Sequence, residues 1–290
     1  MTHSGNSMIK TSNLSKSYGK FKALDNVNLT IGKGKIVGLI GPNGAGKTTL
    51  LKAMLGLTAY DGDLEVMGIN PFKQRAKLME DICFIADVAV LPDWIKVNEV
   101  LDFVEQTHAK FSRTKAEAFL KKTKLGTKQK VKSMSKGMIV QLHLSIVMSI
   151  EAKLLILDEP TLGLDIIYRK EFYDNLLNDY FDNERTIIIT THQVEEVEHI
   201  LTDLIFIKDG KIVLDSSMDD LVEEYFEVMV SNDNYDDAMS FKPLQSRKIF
   251  GKHVMLFKNV NKGELQALGE VQRPGVADLF VAMLKDEEQS

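Results

Sequence analysis

The sequence predicts an α/β fold in which a parallel sheet carries a phosphate-binding loop, and three stretches predict it. Ile36, Val37, Leu39 and Ile40 form an apolar run that leads into Gly41-Pro-Asn-Gly-Ala-Gly-Lys-Thr48, after which Thr49-Leu50-Leu51 reads as the first turn of a helix. Leu154-Leu-Ile-Leu157 is a second apolar run, ending in Asp158 and Glu159. Thr186 to Thr190 is a third. Short β-rich runs that stop at polar residues are the mark of successive strands buried on both faces of a parallel sheet.

Taken in order, residues 8–31 alternate in strand fashion, most clearly at Val27, Leu29 and Ile31, and predict an N-terminal antiparallel β layer. Gly32 to Gly34 then marks a turn into the phosphate-loop strand. From about 97 to 150 the period becomes helical: Val97, Val100, Leu101 and Val104 make one stripe, and Thr114 with Glu117 predicts a capping box ahead of Phe119 and Leu120. An all-helical insertion at about 88–150 is expected, bracketed by strands of one sheet. Asp209-Gly210 predicts a hairpin turn. Beyond it, residues 216–290 alternate weakly and contain no catalytic spacing. The expected division is therefore a nucleotide-binding core over 1–215 and a small α+β extension over 216–290.

Composition narrows the class further. The chain has 290 residues, 44% of them hydrophobic and 27% charged, which is ordinary for a globular protein of about two domains. Lys and Arg number 36 against 41 Asp and Glu, a net charge of -5, so no global basic field favours nucleic acid. The opening MTHSGNSMIK lacks an apolar signal region, and no run approaches the roughly 18 apolar residues of a membrane span, so a cytoplasmic location is expected. Cys83 is the single cysteine and reads as a small core residue. Leu91 and Trp94 read equally as exposed apolar contacts or as core.

The glycine-rich stretch names the ligand. Its glycines let backbone amides curl around a phosphate at a helix N-terminus, Lys47 can reach the β and γ phosphates, and the Thr48 hydroxyl can ligate magnesium. Gly41, Pro42, Asn43, Gly44, Ala45, Gly46, Lys47, Thr48 and Thr49 are thus the candidate nucleotide-binding residues. Asp158 and Glu159 fall at the carboxyl edge of a sheet strand, where ligands of such sheets bind. Asp158 is the candidate metal-shell carboxylate and Glu159 the candidate base for an attacking water.

With these residues in view, the chain from about 8 to 215 resembles the nucleotide-binding subunit of an ATP-binding cassette (ABC) transporter. The resemblance implies that Tyr18 in Ser-Tyr-Gly stacks on adenine. Met134-Ser-Lys-Gly-Met138 resembles the family signature, which is ordinarily Leu-Ser-Gly-Gly-Gln. It keeps Ser135 and Gly137, which would touch the γ phosphate held by an opposite subunit, and departs at Lys136 and Met138. Pro160-Thr-Leu-Gly-Leu-Asp165 resembles the loop that links the two sites of a dimer. His192 in Thr-Thr-His resembles the switch histidine, a second catalytic group. Asp87 stands where the family has Gln or Glu touching magnesium and relaying nucleotide state; its alternative reading is a solvated loop acid.

The resemblance further implies ATP and Mg2+ as cofactors. It implies a homodimer or a paralogous pair, a separate transmembrane permease, attachment to the cytoplasmic face through that permease, and no nucleic-acid partner. The Ser-Lys-Gly-Met signature and a tail ending in Gly275-Val-Ala-Asp-Leu-Phe280 resemble export or drug-resistance subunits. Two rival readings are a cassette ATPase acting on DNA or the ribosome, and a regulatory module gated by ATP.

Overall fold

The computed structural model describes residues 7–86, 91–123, 125–162, 164–182 and 184–285. Its first layer is a three-stranded antiparallel sheet, ordered β2-β1-β4, from β1 (Ser7–Tyr18), β2 (Phe21–Gly32) and β4 (Asp61–Val66). The alternation of residues 8–31 is therefore a hairpin, turned at Gly19 and Lys20, with Tyr18 set opposite Phe21.

The second sheet has six strands in the order β5-β6-β7-β3-β8-β9. They are β3 (Ile36–Ile40), β5 (Ile82–Ile85), β6 (Leu154–Asp158), β7 (Thr186–Thr191), β8 (Asp203–Lys208) and β9 (Lys211–Ser217). All neighbours are parallel except β8 and β9, which Asp209 and Gly210 join through the expected hairpin with positive φ angles of 48° and 77°. Every residue of β3, β6 and β7 is buried, as a strand covered on both faces requires. Cys83 on β5 is buried in this core, and burial pushes its thiol up to about 12.

Helix α1 (Lys47–Met54) follows the phosphate loop, and α2 (Arg75–Met79) precedes β5. Between β5 and β6 come α3 (Val97–Thr107), α4 (Arg113–Leu120) and α5 (Lys136–Val147). Their shared core is Val97, Leu101, Ala116, Leu120, Leu125 and Leu142, with Leu91 packed at its edge. Trp94 is not core; it is exposed.

One expectation needs correction. The N-cap of α4 is Ser112, whose hydroxyl accepts from Lys115 N at 3.4 Å, rather than Thr114. Glu117 is drawn instead to Arg113, one turn back, at 2.9 Å. A Glu at the third helical position does serve at α3, where Glu99 accepts from Lys96 N at 2.9 Å.

After β9 the chain runs through α7 (Met218–Glu224), β10 (Tyr225–Val230), α8 (Tyr235–Ser240), β11 (Gln245–Ile249), β12 (Lys252–Lys258), α9 (Lys262–Gln266), β13 (Gly269–Gln272) and α10 (Val276–Lys285). The four strands form an antiparallel sheet ordered β11-β12-β10-β13. Val228, Val230, Met255 and Phe257 share a core with Ala238 and Leu265. Tyr225 and Leu256 join the main core instead, together with Val276, Leu279 and Ala282 of α10. The remaining helix, between β6 and β7, is α6 (Ile166–Asn175).

Candidate nucleotide site

Strand register brings the chemistry to one edge of the six-stranded sheet. Ile40, the last residue before the loop, pairs with Thr191, and Asp158 pairs with Thr190. The loop therefore leaves β3 at the same sheet edge as the carboxylates at the end of β6, with only β7 between them. Gly44 and Gly46 take positive φ values of 84° and 111°, and Gly46 is the N-cap of α1. A Cβ on Gly46 would lie 2.5 Å from Ala23 O, and one on Gly41 would lie 2.3 Å from Ile207 O. Glycine is thus required by packing at both positions and by backbone angle at Gly46.

Lys47 is the first residue of α1 and only 7% exposed. Its ammonium donates to Gly41 O at 2.6 Å and Pro42 O at 3.2 Å, which satisfies it inside the loop. Burial lowers its pKa, an effect that the charges of Glu159 and Asp158 oppose. Thr48 Oγ1 lies 3.4 Å from Asp158 Oδ2, and Thr190 Oγ1 donates to the other oxygen, Oδ1. Asp158 is buried with two hydroxyls as partners.

Glu159 adopts a left-handed φ of 49°, which a non-glycine residue holds only at a cost of about 1 kcal/mol or more. Its amide donates to Thr190 O at 3.1 Å and to Thr190 Oγ1 at 3.2 Å, bonds that hold the turn. The carboxylate, aimed away from the strand, meets His192 Nδ1 at 3.0 Å.

A cavity of about 270 Å³ gathers most of these groups: Tyr18, Phe21, Ala23, residues 42–49, Asp158 and Glu159. Gly41 lies behind its wall and His192 reaches it through Glu159. Tyr18 presents a half-exposed ring with Lys16 Nζ 5.1 Å from its centroid. Two participants were not read from sequence. Phe21 lines the same cavity opposite Tyr18, and an aromatic just past Gly19 was the available signal. The Thr190 hydroxyl clamps Asp158, although its residue appeared only as the prelude to His192.

Other candidates lie elsewhere. Ser135 caps α5, accepting from Met138 N at 3.3 Å. Asp165 caps α6, accepting from Ile167 N at 3.0 Å and Tyr168 N at 3.1 Å. Gly137 packs under the Tyr168 ring, where a Cβ would approach to 3.1 Å. None of these three residues lines the phosphate-loop cavity. Asp87 lies outside the described residues.

An α/β sheet with a lysine-bearing phosphate loop at its carboxyl edge defines a nucleotide-binding protein of the phosphate-loop class. The family model described as ABC transporter matches residues 24–162. The lantibiotic transport ATP-binding protein SrtF of Streptococcus pyogenes is 37% identical over 225 residues, spanning 76% of this chain and 96% of that protein. The bacitracin transport ATP-binding protein BcrA of Enterococcus faecalis is 31% identical over 296 residues, spanning 98% and 93%. A solved ATP-binding subunit of an ABC transporter superposes with a TM-score of 0.67 at 23% identity, over 74% of this chain and 92% of that one. The chain belongs to the ABC transporter family of ATP-binding proteins, and its activity is ATP hydrolysis coupled to transport. Among the described residues, no helix is long and apolar enough to cross a membrane.

Proposed function

We propose that this chain drives export through a separate permease, with two cassettes closing on two ATP molecules. The observation that carries the reading is the split of the site: Lys47, Thr48, Asp158 and Glu159 meet at one cavity, whereas Ser135, Gly137 and Asp165 lie off it. A complete site then needs the signature of a second cassette. Export is supported by relatives named for lantibiotic transport, bacitracin transport and daunorubicin resistance.

ATP seats its phosphates on the amides of the glycine loop and its adenine against Tyr18, with Phe21 beside it. The Lys47 ammonium exchanges two backbone carbonyls for phosphate oxygens. Because it is largely buried, its charge is poorly screened there. Thr48 and Asp158 supply hard oxygen donors that fit Mg2+, which prefers oxygen and retains waters; no group of three His, Cys, Asp or Glu side chains suits a metal among the described residues. When bound, that ion would neutralise phosphate charge. Glu159 accepts the proton of the attacking water, and His192 fixes its carboxylate by hydrogen bonding. Residues 1–215 form the engine in this reading and 216–290 an accessory unit. The location implied is the cytoplasmic face of the membrane.

Mixing two inactive chains tests the shared site. Ser135→Arg and Lys47→Ala each destroy a half-site of every homodimer, but their mixed dimer keeps one pairing of intact loop with intact signature. ATPase activity is expected to return on mixing. Wild-type hydrolysis by Ser135→Arg alone, at dilutions where it is monomeric, refutes the shared site.

A further inference from the structure

Residues 204–207, Leu-Ile-Phe-Ile, are apolar without a break, the pattern of a strand covered on both faces. They form the middle of β8, which pairs with β3 so that Phe206 stands beside Ile40, the last residue before the phosphate loop. Side chains alternate across the sheet. Ile205 and Ile207 enter the core that holds Ala45 and Leu50, whereas Leu204 and Phe206 enter the core that holds Val276, Leu279 and Ala282 of α10. One strand therefore has the nucleotide loop on one face and the extension on the other.

The loop side is tightly packed. Ile207 O is the atom that excludes a Cβ from Gly41, and Ile207 Cδ1 lies 3.3 Å from where a Cβ of Gly46 would sit. Gly210 N donates to Ala45 O at 2.9 Å, and Gly210 O accepts from Asp25 N at 2.9 Å. The β8–β9 hairpin is thus the wall on which the loop rests. The ladder of this hairpin slips by one residue between Phe206 and Ile207, where β9 carries a bulge. On the far face α10 supplies bracing: the Phe280 ring meets Phe206 edge-on at 5.1 Å between centroids, and the Lys208 ammonium donates to Leu284 O at 2.8 Å. Leu284 lies in the last turn of α10, where helix carbonyls lack partners within the helix and a cation meets the negative end of the dipole.

We infer that α10 positions the phosphate loop through the β8–β9 hairpin, with Phe280 and Lys208 as positioning residues, so that the extension sets the affinity of the site for nucleotide. The inference rests on the reading that residues 41–49 hold the phosphates of ATP. Amides at a helix start bind phosphate only while they point at it, and a close-packed interior passes a displacement on rather than absorbing it. Removing the brace lets the hairpin settle toward the vacated space, which carries Ile207 and the Gly210 bond to Ala45 away from the loop. The direction of transport and the dimer do not enter.

Full-length variants test it by equilibrium titration with ATP, at dilutions where the chain is monomeric, and by steady-state kinetics. Phe280→Ala and Lys208→Met should each weaken ATP binding by at least about fivefold, the lower end of ordinary coupling between sites. KM should rise with kcat retained, the sign of lost binding rather than lost chemistry. Lys208→Arg, which keeps a cationic donor, should bind like the wild type. Val271→Ala thins the separate core of the small sheet, which contains no residue of β8, so it should lower Tm and leave ATP affinity alone. Coupling is reciprocal, so ATP should in turn slow hydrogen exchange at the amides of α10. Wild-type affinity in both Phe280→Ala and Lys208→Met overturns the inference, as does equal weakening by Lys208→Arg or Val271→Ala, or α10 exchange indifferent to ATP. An unchanged ATP isotherm for Lys47→Ala refutes the reading of the loop on which the inference stands; weakened binding by Lys47→Ala beside wild-type binding by Phe280→Ala and Lys208→Met removes this inference alone.

Discussion

Glu159 combines three features that an ordinary surface acid lacks: a left-handed backbone, a largely buried carboxylate and a bond to His192. Glu159→Gln keeps the side-chain shape and removes the base. Hydrolysis should fall at least about a hundredfold while ATP binding survives, leaving a nucleotide-stabilised dimer on size exclusion. Wild-type turnover in this variant would strip Glu159 of its role. Lys47→Ala acts differently, because it removes an ammonium held inside the glycine loop, a charge proposed to serve binding itself. Affinity and rate should fall together, and an unchanged ATP isotherm would contradict the assignment. Tyr18→Ala and Phe21→Ala should each cost about 1 kcal/mol of nucleotide affinity if both rings meet the base. Equal affinity for Phe21→Ala would leave Tyr18 as the sole platform.

At the level of elements, one helix start and one strand make separable claims. Ser112→Ala should destabilise the helical insertion by about 1 kcal/mol, since a hydroxyl cap is lost, whereas Thr114→Ala should be nearly silent. The reverse order in thermal melts would restore Thr114 as the cap. Asp215 lies on β9 with its residue exposed at the surface; partial desolvation of the carboxyl there, and secondarily Asp203, raises its pKa. The folded state therefore holds that proton more tightly than the unfolded chain does, so its contribution is favourable in acid and lost as pH rises past the unfolded value. Because solvent screens this exposed group, Asp215→Asn should raise Tm only slightly at neutral pH, and the gain should shrink toward acid. A neutral-pH Tm that falls would show that the carboxylate is needed for another contact.

For the whole molecule, the question is whether the extension is a loose appendage. Leu279 and Ala282 of α10 are buried in the main core, and Phe280 meets Phe206 of β8 edge-on at 5.1 Å between centroids. Arg247 of the small sheet bonds Glu227 at 3.1 Å and Asp278 of α10 at 2.8 Å. Helix α10 thus packs into the main core and is tied to the small sheet by the Arg247–Asp278 ion pair. Leu279→Ala should cost about 2–4 kcal/mol, felt as one lower Tm for the entire chain, including its ATP site. Calorimetry resolving two transitions, with only the weaker one shifted, would show independent domains.

Legibility followed the range of the physics involved. The phosphate loop, Asp158, Glu159 and the 209–210 hairpin were readable because each depends on local rules: glycine where φ is positive, apolar runs for buried strands, carboxylates at their ends. The extension was opaque because its strands are short and part of its sheet is covered by α10, whose packing partners are remote in sequence. Ser112 prevailed over Thr114 because several polar residues in succession offer competing caps, and the tertiary position of Arg113 and Glu117 settled the choice. Tyr18 and Phe21 became one wall only through hairpin register, and Asp158 met Thr48 and Thr190 only through strand order. By itself the sequence determined the ligand class, the sheet and the candidates for the reacting groups, since these rest on residue type and near spacing. Tertiary structure decided which hydroxyl holds which carboxylate, which aromatics line the cavity and how the tail packs on the main core, since those contacts close over long stretches of chain.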